Sequence, residues 1–341
     1  MIKSVQFRNF KVLRDTTLPL GRFTLIVGPN GSGKSTALQA LQAAANPRQW
    51  QFQRVATAGL QPTNDAAIVE VVLQWEAPYE GVITTARWYP NESVHVPSLS
   101  HSDPRGARPP GEAEQSLNAK LAGIRIYSFD ARAIAAPVQL QPSVELDQHG
   151  GYLTGVLDRL RDREPERFEA LSEELGRWSP EFDRILFDVP DPGQRAFLLR
   201  THDGHHTIPA TDLSQGTLLA LAMLTLAYLP DPPSIVCLEE PDRGIHPRLL
   251  RDVRDALYRL SYPENFGEKR EPVQVVATTH SPYFLDLYRD HPEEVVIAHR
   301  VGQDVRFERL SDRPDIEEIL GDAPLGEVWY SGILGGVPSE Q

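Results

Sequence analysis

Residues 28–36 read Gly28-Pro29-Asn30-Gly31-Ser32-Gly33-Lys34-Ser35-Thr36 and satisfy the pattern G-x-x-x-x-G-K-[ST] in full. Residues of these types at this spacing do one kind of chemistry. Glycines let the backbone wrap a phosphate with its N–H groups, and a following helix N-terminus adds partial positive charge. Lys34 reaches toward the β- and γ-phosphates, and the Ser35 hydroxyl is a hard oxygen donor suited to Mg2+. Only five of the 34 basic residues are lysines, so Lys34 is not the product of a lysine-rich background.

Three more segments carry candidate chemistry. Ser234-Ile-Val-Cys-Leu238 is apolar and runs into two carboxylates, Glu239 and Glu240. Acids at the carboxyl end of a strand sit at the sheet edge where ligands bind. Glu239 is the candidate metal ligand, and Glu240 the candidate base that orients or deprotonates water. Leu213-Ser214-Gln215-Gly216-Thr217 precedes a long apolar helix; Ser214 suits an N-cap, and Gly216 admits close approach by a phosphate. Val275-Val-Ala-Thr-Thr-His280-Ser281-Pro282 ends a third apolar strand in a histidine placed to sense a γ-phosphate.

The elements that must position these residues are legible. Residues 1–28 read as strand, turn, strand, with Phe23-Thr-Leu-Ile-Val27 feeding the glycine loop, and Ser35 to Ala45 as a helix. Two or three strands are expected over 67–89 and a Pro/Gly-rich mobile loop over 91–114. One more strand is expected at Ile124–Phe129 and a helix pair over about 150–178. Alternation from Ile185 to Ile208 around Asp203-Gly204 reads as a hairpin. Helices are expected from Gly216 to Tyr228 and from Pro247 to Leu260, the latter with Arg and Asp interleaved on a solvated face. His202, His205 and His206 read as a hairpin tip rather than a metal site, and the arginines at 159–167 as a solvated helix face. Trp329 and Tyr330 are expected to pack onto the body of the protein.

The length of 341 residues allows two or three structural units. A net charge of −13 disfavours non-specific attraction to nucleic acid without forbidding a local basic groove. One cysteine, Cys237, rules out an intramolecular disulfide and a multi-cysteine zinc site. The longest apolar run, Leu218 to Leu229, is too short to cross a bilayer, and no signal-peptide core opens the chain. A cytoplasmic protein without membrane insertion is expected.

Taken in order, GPNGSGKST (28–36), LSQGT (213–217), CLEEPDRGIHP (237–247) and TTHSP (278–282) resemble the ABC-type ATPases of the RecF/SMC/OLD group, with the stand-alone AAA_21 type the nearest likeness. The opening Val5-Gln-Phe-Arg-Asn-Phe10 and the ending from Leu325 to Gly336 also look like that group. The resemblance implies an α/β P-loop ABC-type head with mixed β-sheet and flanking helices, plus an inserted subdomain. Residues 1–75 and 201–341 would form the head and 76–200 the insertion. It further implies ATP and Mg2+ as ligands, a homodimer clasping two ATP molecules, and Ser214, Gln215 and Gly216 of one copy facing the phosphate held by Lys34 of the other. Glu240 would activate water, His280 would hold the γ-phosphate, and Asp242 to His246 would link the two sites. DNA and a separate nuclease or effector are the implied further partners, in DNA repair or anti-phage defence. The chain ends soon after its last motifs, so a nuclease domain is expected on another polypeptide.

Three departures from the pattern stand out: Glu239 where many relatives have Asp, Gln215-Gly216-Thr217 in the signature, and no clear metal-coupling glutamine. For that glutamine Gln74, Gln139 and Gln141 are the candidates. A transporter ATPase subunit and a slow ATP-dependent switch are the alternatives. A compact transporter head would leave a shorter stretch between Gly33 and Ser214.

Overall fold

A computed structural model describes residues 1–60, 67–91, 95–141, 143–321 and 323–334. The chain begins with strands β1 (Ile2–Phe10), β2 (Leu13–Pro19) and β3 (Phe23–Val27), helix α1 (Lys34–Ala45) and the short α2 (Phe52–Val55). Strands β4 (Val69–Trp75), β5 (Ile83–Trp88) and β6 (Ser98–Ser102) precede α3 (Gly111–Ala122) and β7 (Ile124–Tyr127). Then come α4 (Ala131–Ala135), β8 (Val138–Gln139), α5 (Leu153–Arg163), α6 (Pro165–Trp178), β9 (Phe182–Asp188), β10 (Gln194–Thr201), β11 (Thr207–Pro209) and α7 (Gln215–Tyr228). The remainder comprises β12 (Ile235–Glu239), α8 (Leu250–Ser261), β13 (Gln274–Thr279), α9 (Pro282–Leu285), β14 (Val295–Val301), β15 (Asp304–Arg309), α10 (Ile316–Ile319) and α11 (Leu325–Tyr330).

These elements form two compact units. The first comprises residues 1–126, 233–237 and 272–341. It holds a five-stranded antiparallel sheet, β2-β1-β4-β5-β6, and a six-stranded mixed sheet, β15-β14-β3-β13-β12-β7, with the last residues of β7 and β12 counted in the second unit. Strand β3 is buried at every position and pairs in parallel with β13 and β14, as a continuous apolar run requires. Helix α1 packs Ala37, Leu38, Ala40, Leu41, Ala43 and Ala44 into one core with Val5 and Phe7 of β1, Val71 of β4, Val276 of β13 and Ala298 of β14. Its small side chains let a helix be covered on several sides; burial of each leucine contributes roughly 1.5–3 kcal/mol.

The second unit comprises residues 127–232 and 238–271. Its axis is α7, buried at every position from Thr217 to Tyr228, the pattern of a helix with no solvent face. Helix α8 buries Leu250, Val253, Leu257 and Leu260 and turns Arg251 outward, with Arg254 ion-paired to Asp255 at 2.7 Å. That is the solvated arginine face expected. Strands β9, β10 and β11 are antiparallel, and a turn at Asp203-Gly204 joins the last two.

Sequence and structure differ at the N-terminal segment and over 91–114. The N-terminal segment makes three strands rather than two, because Asn9 and Lys11 take left-handed backbone (φ 57° and 48°) and turn the chain after Phe10. The segment read as a loop over 91–114 contains β6 and the start of α3, since cross-strand pairing with β5 (Thr84 opposite His101) supplies what local composition does not. Residues 92–94 of that stretch, and Gly335 and Gly336 of the C-terminal motif, lie outside the described residues.

Candidate functional site

In the first unit, β3 delivers the loop Gly28–Gly33 to the start of α1. Gly28 is fixed by close approach: a Cβ there would lie 2.2 Å from the Ala298 carbonyl oxygen, a backbone atom that cannot give way. Gly33 is fixed by conformation, with φ 91° at the N-cap of α1. No side chain caps α1, so its first N–H groups are left to a ligand or water. The Lys34 side chain folds into the loop, and its Nζ donates to the carbonyls of Gly28 (2.6 Å) and Pro29 (3.0 Å). Lys34 is 7% exposed, whereas Asn30, Gly31 and Ser35 are exposed and Thr36 is half-buried. The Ser32 hydroxyl is buried without a hydrogen-bond partner, the group in this loop that an acceptor oxygen would satisfy. An inward-turned ammonium, an uncapped helix start and this hydroxyl fit a phosphate chain.

Strand β13 lies beside β3 in parallel register, with Thr279 opposite Val27. The next residues, His280 and Gly28, therefore leave the sheet at the same edge. His280 is exposed; Thr279 Oγ1 accepts from Ser281 N–H at 2.9 Å and Ser281 caps α9, so the chain turns sharply past the imidazole. The C-terminal motif packs here. Gly326 N–H donates to Asp286 Oδ1 at 2.6 Å, and a Cβ on Gly326 would lie 2.5 Å from the Pro282 carbonyl oxygen. Trp329 is 6% exposed and packs as expected, while Tyr330, 74% exposed, does not.

In the second unit, Ser214 caps α7: its Oγ accepts from Thr217 N–H at 3.1 Å and bonds the Thr217 hydroxyl at 2.8 Å. Ser214 and Gln215 are exposed. Glu239 closes β12, and Glu240 follows with φ 48°, a left-handed conformation uncommon outside glycine and asparagine. Both are half-buried and line a small cleft with Phe129, Leu219, Met223 and Arg243. Arg243 N–H donates to the Glu240 carbonyl at 2.9 Å, and Arg243 Nη2 donates to the Phe129 carbonyl at 3.3 Å. Gly216 faces the loop beyond: a Cβ on it would lie 3.1 Å from the Gly244 carbonyl oxygen.

The structure thus brings the P-loop and His280 together in one unit, and the signature segment and the Glu239–His246 stretch together in the other. Sequence reasoning placed Gly244 within the linking stretch Asp242 to His246; its φ of 75° and its closeness to Gln215 and Leu219 come only from the structure. Of the candidate coupling glutamines, Gln74 accepts from Ser4 Oγ at 3.2 Å on β4, and Gln139 lies on β8 opposite Gln194. Gln141 lies outside any strand or helix. The His202–His206 tip is exposed, with Asp203 Oδ1 accepting from Thr201 Oγ1 and from His205 N–H at 3.0 Å. Among the described residues no group of three or more His, Cys, Asp or Glu could hold a metal ion, and no helix is long and apolar enough to cross a membrane.

Comparison with known proteins agrees with these motifs. Residues 86–286, more than half of the chain, match the AAA_21 family, described as an AAA domain, putative AbiEii toxin, Type IV TA system, and residues 1–79 match an AAA ATPase domain. The chain is 25% identical to the OLD nuclease of Thermus scotoductus over 368 aligned positions, covering 96% of this chain and 68% of that protein. Among solved structures it is similar to the SmcHead bound to the C-winged helix domain of ScpA (TM-score 0.61, 16% identity, 90% of this chain and 96% of that one). It is also similar to the recombination mediator protein RecF-ATPrS in RecFOR pathway (TM-score 0.45, 12% identity, 90% of this chain and 98% of that one). The chain belongs to the AAA_21 family and is an ABC-type ATPase of the RecF/SMC/OLD group.

Proposed function

We propose that this protein binds and hydrolyses ATP, pairing head to head with a second copy of itself around the nucleotide. The observation that carries the reading is the P-loop itself: an ammonium turned into a glycine loop at the uncapped start of α1. Loop N–H groups and the Lys34 charge hold the phosphates. The exposed Ser35 hydroxyl and the Glu239 carboxylate would serve as oxygen donors to Mg2+, which neutralises charge on the phosphate oxygens when bound. Glu240 takes the proton of the attacking water as its oxygen bonds to the γ-phosphorus and the bond to the ADP oxygen breaks. His280 holds the γ-phosphate. Ser214 and Gly216 come from the second copy, so hydrolysis would release the pair and turn chemistry into a change of shape. That cycle suits a cytoplasmic switch in DNA repair or anti-phage defence acting through DNA and a separate effector. The similarity to an OLD nuclease supports this direction.

The test is direct. Lys34→Ala should abolish nucleotide binding by calorimetry. Glu240→Gln should keep ATP affinity and accumulate a dimer on size exclusion with ATP. A Glu240→Gln protein that binds ATP yet elutes only as monomer refutes the pairing. ATPase rates with single- and double-stranded DNA across salt decide whether nucleic acid is the trigger.

A further inference from the structure

We propose that Gln215 is a positioning residue that locks the signature segment to the loop following the catalytic carboxylate, so that the two move as one piece. The inference rests on the ATP-driven pairing above and adds how the carboxylate learns that a partner's phosphate has arrived.

The geometry lies within the second unit. Gly216, in the first turn of α7, points its bare Cα at the loop after β12, where a Cβ would lie 3.1 Å from the Gly244 carbonyl oxygen. Gly244 points back: at φ 75° its missing Cβ would meet Gln215 Nε2 at 3.1 Å, Gln215 Cδ at 3.2 Å and Leu219 Cδ1 at 3.3 Å. Gly216 therefore lies against the Gly244 carbonyl, while Gly244 lies under the Gln215 amide and Leu219, and a side chain at either glycine would be tightly crowded. The loop is itself wound tight. Arg243 N–H bonds the Glu240 carbonyl (2.9 Å), Ile245 N–H bonds the Asp242 carbonyl (3.2 Å), and the buried Ile245 anchors it. A displacement at Gly244 is passed through those two turns to Glu240, whose φ of 48° leaves its backbone little slack.

Ser214, Gln215 and Gly244 are all exposed, so the interlock sits at the surface that the second copy would reach. A phosphate arriving at Ser214 and Gly216 presses on a segment that cannot yield without moving Gly244. Gln215 thus replaces what a glycine at this place would leave open. It offers a physical reason for the Ser-Gln-Gly order of this signature. The consequence is that each copy's Glu240 responds to its own signature segment being filled by the partner's nucleotide, and the two reaction centres fire together.

The decisive experiment compares Gln215→Ala with the unsubstituted chain. Amide exchange over residues 242–246 should accelerate several-fold. With ATP as ligand, KM should stay within about twofold while kcat falls by about tenfold, within the ordinary 5–150-fold span of coupling between sites. The Hill coefficient should fall to 1. Gln215→Met, which keeps length and packing, should restore kcat. Gly244→Ala should reproduce the loss, and the double variant should be no worse than Gly244→Ala alone, since both break one contact. Unchanged exchange over 242–246 in Gln215→Ala overturns the interlock. Accelerated exchange with unchanged kcat and Hill coefficient overturns its role in coupling. If Glu240→Gln fails to trap a dimer, the pairing reading fails instead, and the exchange rates still decide the interlock.

Discussion

Gly33→Ala tests whether the phosphate loop is held by its glycines or merely tolerates them. Gly33 has φ 91°, and a Cβ there would lie 3.0 Å from Leu13 Cδ2 and 3.2 and 3.3 Å from the two Val305 methyls. Two costs add. A side chain in left-handed backbone costs about 1–2 kcal/mol. Overpacking against buried Leu13 and Val305, which are part of the core under α1, costs roughly a further 1–3 kcal/mol. Gly31→Ala is the control: its φ is 79°, but no atom lies within 4 Å of its would-be Cβ, so it carries the backbone cost alone. Thermal unfolding should show Gly33→Ala falling by about 4–20 °C, at about 2–4 °C per kcal/mol for a unit of this size, and Gly31→Ala by the smaller backbone share, about 2–8 °C. Relief of the strain by moving the loop should also remove the ATP-dependent rise in melting temperature that nucleotide binding is expected to give the unsubstituted chain by mass action. Equal losses for the two variants, or a full ATP shift in Gly33→Ala, would refute the argument that Leu13 and Val305 brace this loop.

Two further outcomes follow from the second unit. Glu268 gathers Arg259 (2.5 Å), Arg270 (2.6 Å) and Arg167 (3.8 Å) around a carboxylate that is 9% exposed, so Glu268→Ala leaves Arg270, itself only 9% exposed, without its carboxylate. It should cost about 3–5 kcal/mol in chemical denaturation, and a loss near zero would show the network to be incidental. Asp183 bonds Arg200 through both oxygens (2.8 and 2.7 Å), and these hydrogen bonds hold its carboxyl below the ordinary 3.8. With the folded value depressed, the pair's contribution is full above the ordinary value and is lost as pH falls through the folded one. The melting temperatures of the parent and of Asp183→Asn should differ at neutral pH, and the gap should begin to close only as the pH falls below about 4; a gap independent of pH would contradict the pairing.

The candidate site residues are legible in the sequence wherever the proposed chemistry calls for residues adjacent in the chain. Gly28 to Thr36 must be contiguous to wrap a phosphate, and an apolar strand must run directly into Glu239 and Glu240. Such spacing is local, and periodicity and composition report local things. Helix α1, helix α7 and strands β3, β12 and β13 were readable for the same reason, being long apolar or small-residue runs bounded by glycine, proline or a capping serine. The tight turn at Asn9 and Lys11, and strand β6 in a stretch of Pro, Ser and Gly, were not. Local propensity is weak there, and pairing across the sheet decides.

The sequence by itself determined which atoms could meet a triphosphate, because a P-loop is written into consecutive residues. Tertiary structure decided what holds those atoms in place. Ala298 approaches Gly28, Thr279 falls opposite Val27 to bring His280 to the loop's edge, and Gly244 comes to rest against Gly216. Each pair is distant along the chain, and nothing in the spacing of residues names a neighbour that only the packing of sheet on helix, or of loop on helix, can supply.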